Sequence, residues 1–170
     1  MTGEKSEGSM QSQQSSFPSF KRILVAVDGS DHSMRAARVA VDLAQKYASE
    51  LVVLHVTPMA SYANLSVLYG TSIPPPPAAD EKYREYHRDV AKTLVTRAAQ
   101  LAEGTGVSAS TAIQESPGSV VERITAYAQG EKIDLIVIGS RGLSGLKKLV
   151  MGSVSGGVIT HAHCPVLVIR

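Results

Sequence analysis

The segment DLIVIGSRGLSGLKKLVMGSVS, residues 134–155, decides how the rest of the chain is read. It opens as a short apolar run, Leu135 to Ile138, and breaks abruptly into glycines and cations. Gly139, Gly142, Gly145 and Gly152 punctuate it, and Arg141, Lys147 and Lys148 supply its charge. No Asp or Glu occurs from Leu135 to the end of the chain. Glycines let backbone N–H groups approach a ligand and also permit positive φ. A helix starting behind them adds oriented donors and a positive dipole end. A strand that empties into such a segment is suited to holding an anion, and the phosphates of a nucleotide are the expected ligand.

Working outward, the same strand-then-helix rhythm repeats. Ile23 to Val27 is a continuous β-branched and aliphatic run that ends at Asp28-Gly29-Ser30, as expected of a strand buried on both faces. From Ser30 to Ser49 the spacing is helical, with Met34, Ala37, Val41, Ala44 and Ala48 on one face and Ser30 or Asp31 as N-cap. Leu51 to Thr57 reads as a second buried strand, closed by Pro58. Met59 to Asp80 has no periodicity and contains the run Pro74 to Pro77, so a long loop is expected. Glu81 to Glu103 is helical again and stops at Gly104 and Gly106. Val107 to Glu115 reads as a weaker strand. Ser119 and Glu122 form a capping-box pattern ahead of a helix lined by Val121, Ile124 and Ala128. Ile133 to Ile138 is the fourth strand, Ser153 to Ala162 a helix, and Pro165 to Ile169 a final strand.

Strict alternation of strand and helix implies an α/β fold, a parallel sheet with helices on both faces. Such sheets take ligands beyond the carboxyl ends of their strands, where the strand order reverses. Asp28 and Gly139 both sit at such ends. Met1 to Phe17 are rich in Ser, Gln and Gly and cannot offset ordering entropy by burial. Residues 1–18 are therefore read as a disordered tail and 19–170 as one domain.

Composition narrows the function classes. With 17 Lys and Arg against 15 Asp and Glu, the formal charge is +2, too balanced for nucleic-acid binding by bulk charge. Aromatics are 5% and Trp is absent, which argues against base-stacking platforms. The lone Cys164 excludes an internal disulfide and fits a reducing compartment. No apolar run approaches the roughly 20 residues of a membrane helix, and no basic-then-apolar leader is present. A cytoplasmic protein with neither a nucleic-acid nor a membrane partner is expected.

Better-known phosphate motifs are missing. There is no G-x-x-x-x-G-K-[ST], no G-x-G-x-x-G after the first strand, and Thr57 ends the second strand where a dinucleotide fold would place an acid. What is present is Gly139-x-x-Gly142, nine residues, then Gly152-Ser153. This spacing resembles the ATP-binding signature of the universal stress protein family. The resemblance extends to Val27-Asp28-Gly29-Ser30, Leu54-His55-Val56, Ile138 to Gly142 and His163 to Val168, and covers Lys21 to Arg170. It departs at the proline-rich loop. The resemblance implies a Rossmann-like three-layer α/β/α fold whose five parallel strands are ordered 3-2-1-4-5. It implies further that Asp28 lines the nucleotide pocket and Val56 contacts adenine. Gly139, Arg141, Gly142, Gly152, Ser153 and Val154 would surround ribose and phosphates. ATP with magnesium is the implied ligand, and a homodimer through the final strand the implied assembly.

Each of these residues also has a plainer reading. Asp28 can cap the following helix, Val56 can be ordinary core, Gly139 and Gly142 can be turn glycines, and Ser153 can be an N-cap. Arg141, Lys147 and Lys148 can be solvated. Cys164 is read as an inert packed residue. His55, His161 and His163 lack metal spacing and read as structural, and His32 and His87 as surface residues. No catalytic set and no metal site is assigned. A nucleotide-dependent regulator in stress response is the leading expectation. The alternatives are slow ATP hydrolysis or self-phosphorylation near Ser153, with Asp28 as the sole candidate base, and a dimer scaffold that binds AMP or no nucleotide.

Overall fold

Apolar runs of β-branched residues form the strands, and the computed structural model describes residues 20–58, 77–143 and 151–170. The strands are β1 (Arg22–Ala26), β2 (Glu50–Pro58), β3 (Ala109–Ser116), β4 (Leu135–Gly139) and β5 (Val166–Ile169). The helices are α1 (Asp31–Tyr47), α2 (Pro77–Ala99), α3 (Val120–Gly130) and α4 (Ser153–His161). The expected tail at 1–18, residues 59–76 of the expected loop, and Gly145, Lys147 and Lys148 lie outside the described residues.

All strand pairings are parallel, and the sheet order is β3-β2-β1-β4-β5. This is the 3-2-1-4-5 order implied by the resemblance. Ala26 at the end of β1 pairs with Leu54 on one side and Ile138 on the other. The pleat sends alternate residues to opposite faces. Ile23, Val25, Leu51, Val53, Leu135 and Val137 pack with Met34, Ala37 and Val41 of α1 and Val95 and Ala98 of α2. Leu24, Ala26, Val52, Leu54, Val56, Ile136 and Ile138 pack with Ile124 and Ala128 of α3 and Val158 of α4. Burial on both faces explains why these strands read as continuous apolar runs. Each fully buried aliphatic side chain contributes about 1.5–3 kcal/mol.

Helix boundaries follow local chemistry. Ser30 is the N-cap of α1 and its Oγ accepts from the Ser33 N–H at 3.2 Å. Ala48, expected on the buried face, is instead the exposed C-cap, in the left-handed region at φ 53°. With Ala48 left-handed, the Ser49 N–H turns back to the Ala44 carbonyl at 2.9 Å, and the helix closes there. The second helix begins earlier than expected, at Pro77. A proline is well suited to a first helical position, where its missing N–H costs nothing. That helix also ends earlier, at Ala99, and a 3₁₀ turn over Gln100–Ala102 carries the chain on toward Gly104. Ser119 caps α3 as expected, accepting from the Glu122 N–H at 3.3 Å.

At the amino ends of the strands a polar clamp joins β1 to its neighbours. The Asp134 carboxylate accepts from the Lys21 N–H at 2.7 Å and from the Arg22 N–H at 3.3 Å. Arg22 pairs with Glu50 at 3.1 Å and Glu131 at 3.3 Å.

Candidate functional site

The carboxyl tips of β1 and β4 lie side by side, and the chain leaves β1 toward one face and β4 toward the other. A crevice between such tips is the binding position of open parallel sheets. Its first wall is the turn after β1. Gly29 adopts φ +87°, and a Cβ there would stand 2.8 Å from Leu94 Cδ2. That positive φ favours glycine. Asp28 Oδ1 accepts from the Ser30 N–H at 3.0 Å, and the Asp28 N–H donates to Ser33 Oγ at 3.4 Å. Asp28 therefore organises the turn, while Ser30 caps the helix. Ser30 Oγ also donates to the Arg141 carbonyl at 3.3 Å, tying the two turns together.

The second wall is the segment after β4. A Cβ on Gly139 would lie 2.7 Å from the carbonyl carbon of His32 and 2.8 Å from the Ser33 nitrogen. Only a residue without a side chain lets the first turn of α1 seat against this strand tip. A Cβ on Gly142 would lie 2.5 Å from Asp28 Oδ2, so the carboxylate rests in the space glycine leaves. Gly139, Gly142 and Gly152 all have negative φ, so positive φ is not their use; at Gly139 and Gly142 close approach is.

Ser140 links this wall to α4. Its N–H donates to the Ile169 carbonyl at 2.6 Å, and its carbonyl accepts from the Gly152 N–H at 2.8 Å and from Ser155 Oγ at 3.1 Å. Gly152 is the N-cap of α4, and Ser153, expected as a possible cap, is the first helical residue. The first N–H groups of a helix lack intrahelical partners. Those of Ser153 and Val154 therefore begin the helix at the rim of the crevice.

The crevice has a volume of about 410 Å³, within the roughly 300–1,000 Å³ usual for small-molecule sites. Asp28, Val56, Gly139, Arg141, Gly142, Gly152, Ser153 and Val154 all line it. Leu54, Ile124 and Ile138 complete an apolar side with Val56, which is at once core and cleft wall. Among the described residues the ionisable lining groups are Asp28, His55 and Arg141. His55 Nδ1–H donates to the Val27 carbonyl at 2.7 Å, which fixes its ring and tautomer. Among the described residues no group of three His, Cys, Asp or Glu side chains is placed to hold a metal ion.

Other expectations resolve in the same frame. His161 bonds to the Gly157 carbonyl and His163 to that of Ile133, both structural as expected. His32, expected at the surface, is half-buried and hydrogen-bonded through Nδ1 to Ser140 Oγ at 3.1 Å. His87 is likewise half-buried. Burial pushes the Cys164 thiol up from its ordinary range, with the nearby Asp134 charge adding to it, which favours the unreactive neutral form. Tyr127 is raised as well, by burial first and then by Glu131. Neither lines the cleft. Among the described residues no helix is long and apolar enough to cross a membrane.

Residues 19–170 match the profile of the universal stress protein family. The universal stress protein YxiE of Bacillus subtilis is 39% identical over 151 residues, covering 89% of this chain and 99% of the relative. The solved structure of universal stress protein UspA from Lactobacillus plantarum superposes with a TM-score of 0.74 at 29% identity, covering 91% of this chain and 100% of that one. The universal stress protein from Archaeoglobus fulgidus, solved in complex with dAMP, has a TM-score of 0.63 at 22% identity, covering 90% of this chain and 100% of that one.

Proposed function

The chain belongs to the universal stress protein family, and on that premise we propose that the cleft between β1 and β4 binds ATP or another adenine nucleotide. The observation that carries this reading is the convergence on one cavity of three things. These are the Asp28 carboxylate, the side-chain-free positions Gly139 and Gly142, and the start of α4 at Gly152. Apolar Val56, Leu54 and Ile138 offer a face for a base, and Asp28 an acceptor for ribose hydroxyls or the adenine amine. Arg141 and the amides of Gly142 and of Ser153 and Val154 suit phosphate. The Archaeoglobus relative holds dAMP; its likeness speaks for the fold, and the reading for this chain rests on its own cleft. Magnesium would ride on the phosphates, since among the described residues Asp28 is the only carboxylate on the wall.

In this reading the protein is a cytoplasmic, nucleotide-dependent regulator rather than an efficient enzyme. Hydrolysis would have Asp28 as its base, and that carboxylate is already engaged by the Ser30 N–H. β5 is an edge strand with Leu167 36% exposed, which supports pairing with a second copy in a homodimer, since open edges invite a partner strand.

Gly152→Val gives a clean test. Its φ of −75° suits any residue, and a Cβ there meets its nearest neighbours at 3.5 Å, so the variant should fold. Calorimetric titration with ATP and magnesium should show binding in the wild type. The variant should bind about tenfold or more weakly, as expected for lost hydrogen bonds to a charged group. Equal affinity in both proteins, or no heat in either, would refute the reading. Phosphate release that is brisk in the wild type and lost in Asp28→Ala would favour an enzyme instead.

A further inference from the structure

Thr57 stands just outside the cleft. It follows Val56, so the strand's alternation turns it to the opposite face of β2, where it is 4% exposed. Among the described residues its hydroxyl is buried with no hydrogen-bond partner, an arrangement that is costly unless a ligand satisfies it. It lines a second cavity of about 350 Å³ between α2 and the ends of β2 and β3.

The helix side of this cavity is cationic. Ala91, Val95 and Ala98 form the buried, apolar inward face of α2. Arg84 and Arg88 continue that face at helical spacing toward its start, where the helix passes the strand tips, and Lys92 follows one turn after Arg88. All three cations line the cavity. Lys92 also pairs with Asp89 at 3.6 Å. Glu115, the register partner of Thr57, stands on the opposite rim, and Ile113 provides an apolar floor. Neither Arg88 nor Glu115 has an ion-pair partner within the described residues.

We propose that this cavity is a second anion site, separate from the nucleotide cleft, that takes a small phosphate monoester. Guanidinium forks match phosphate oxygens in pairs, and the Thr57 hydroxyl donates one further bond from below. The cavity exceeds the size of a bare phosphate, which leaves room for the ester's body over Ile113. Glu115 limits the total charge admitted and offers an acceptor for a ligand hydroxyl.

The test is inorganic phosphate titrated into the ¹⁵N-labelled full chain and read amide by amide. Thr57, Arg88 and Glu115 should shift along one saturation curve. Arg88→Gln should weaken that curve about tenfold through loss of a charge-assisted pair. Glu115→Gln should strengthen it about threefold by removing a like charge. Thr57→Val should weaken binding while leaving the melting temperature unchanged or raised. Shifts confined to Gly139 through Val154, or an identical curve in the Arg88 and Glu115 variants, would overturn the assignment. The two clefts report through different amides, so failure of nucleotide binding at Gly139 and Gly152 is distinguishable from failure here.

Discussion

In the cleft between β1 and β4, the groups proposed for phosphate are mostly main chain; in the cavity under α2, they are the ends of long side chains. The first is held by packing. Gly139 lies against the backbone of His32, Gly142 against Asp28, and the Ser140 carbonyl pins the start of α4. The second depends on Arg84, Arg88 and Lys92, all long and exposed side chains. Main-chain donors are preorganised and cannot be removed without altering the path of the chain. Side-chain cations can be exchanged singly, and their strength is tuned by neighbours such as Glu115 and Asp89.

That contrast can be broken most sharply at Gly139. Gly139→Val drives its side chain into the backbone of α1, and overpacking of this kind costs about 1–3 kcal/mol. Thermal melting should fall by several degrees and ATP heat should vanish. A variant that melts like the wild type would mean the first cleft is softer than described. Next in size is Gly142→Ala, which displaces the Asp28 carboxylate, a mobile side chain rather than backbone. Its affinity for ATP should drop about tenfold with little change in melting; the reverse pattern would make Asp28 structural. Ser30→Ala removes both the α1 cap and the bond to the Arg141 carbonyl, and cap loss costs about 1 kcal/mol. ATP binding should weaken while phosphate shifts at Arg88 stay as they were; joint weakening would show that the clefts are not independent. The smallest effect is expected for Arg88→Lys, which keeps charge but loses the fork. Phosphate binding under α2 should fall by about threefold and calorimetry with ATP should register nothing.

The two regions also differ in how far the amino-acid sequence discloses them. Runs such as Ile23 to Val27 reveal buried strands because burial on both faces demands continuous apolar residues. Gly139, Gly142 and Gly152 were legible by their spacing behind a strand, and at the first two close approach is what excludes a side chain; the strand order that brings Asp28 and Gly139 to one crevice came from the family resemblance. What was missed depends on contacts between residues distant in the chain. The bond from His32 to Ser140 spans 108 residues and leaves no local pattern. Ala48 looks helical by periodicity, yet its left-handed backbone ends the helix there. Arg84 and Arg88 drew no reading, since nothing local says that α2 passes the sheet tips over a buried Thr57.

The clamp of Asp134 on the Lys21 and Arg22 amides has a practical consequence. Every strand points the same way, so the chain enters the sheet at the pole opposite both openings. It reaches Arg170 on the pole of the two openings, where the Arg170 carbonyl accepts from Arg35 Nε at 3.0 Å. An affinity handle or a surface tether attached at the Phe20 pole of the sheet would therefore keep both mouths clear. The same handle appended after Arg170 would emerge beside them, and a sensor built on this scaffold should be immobilised by its front end.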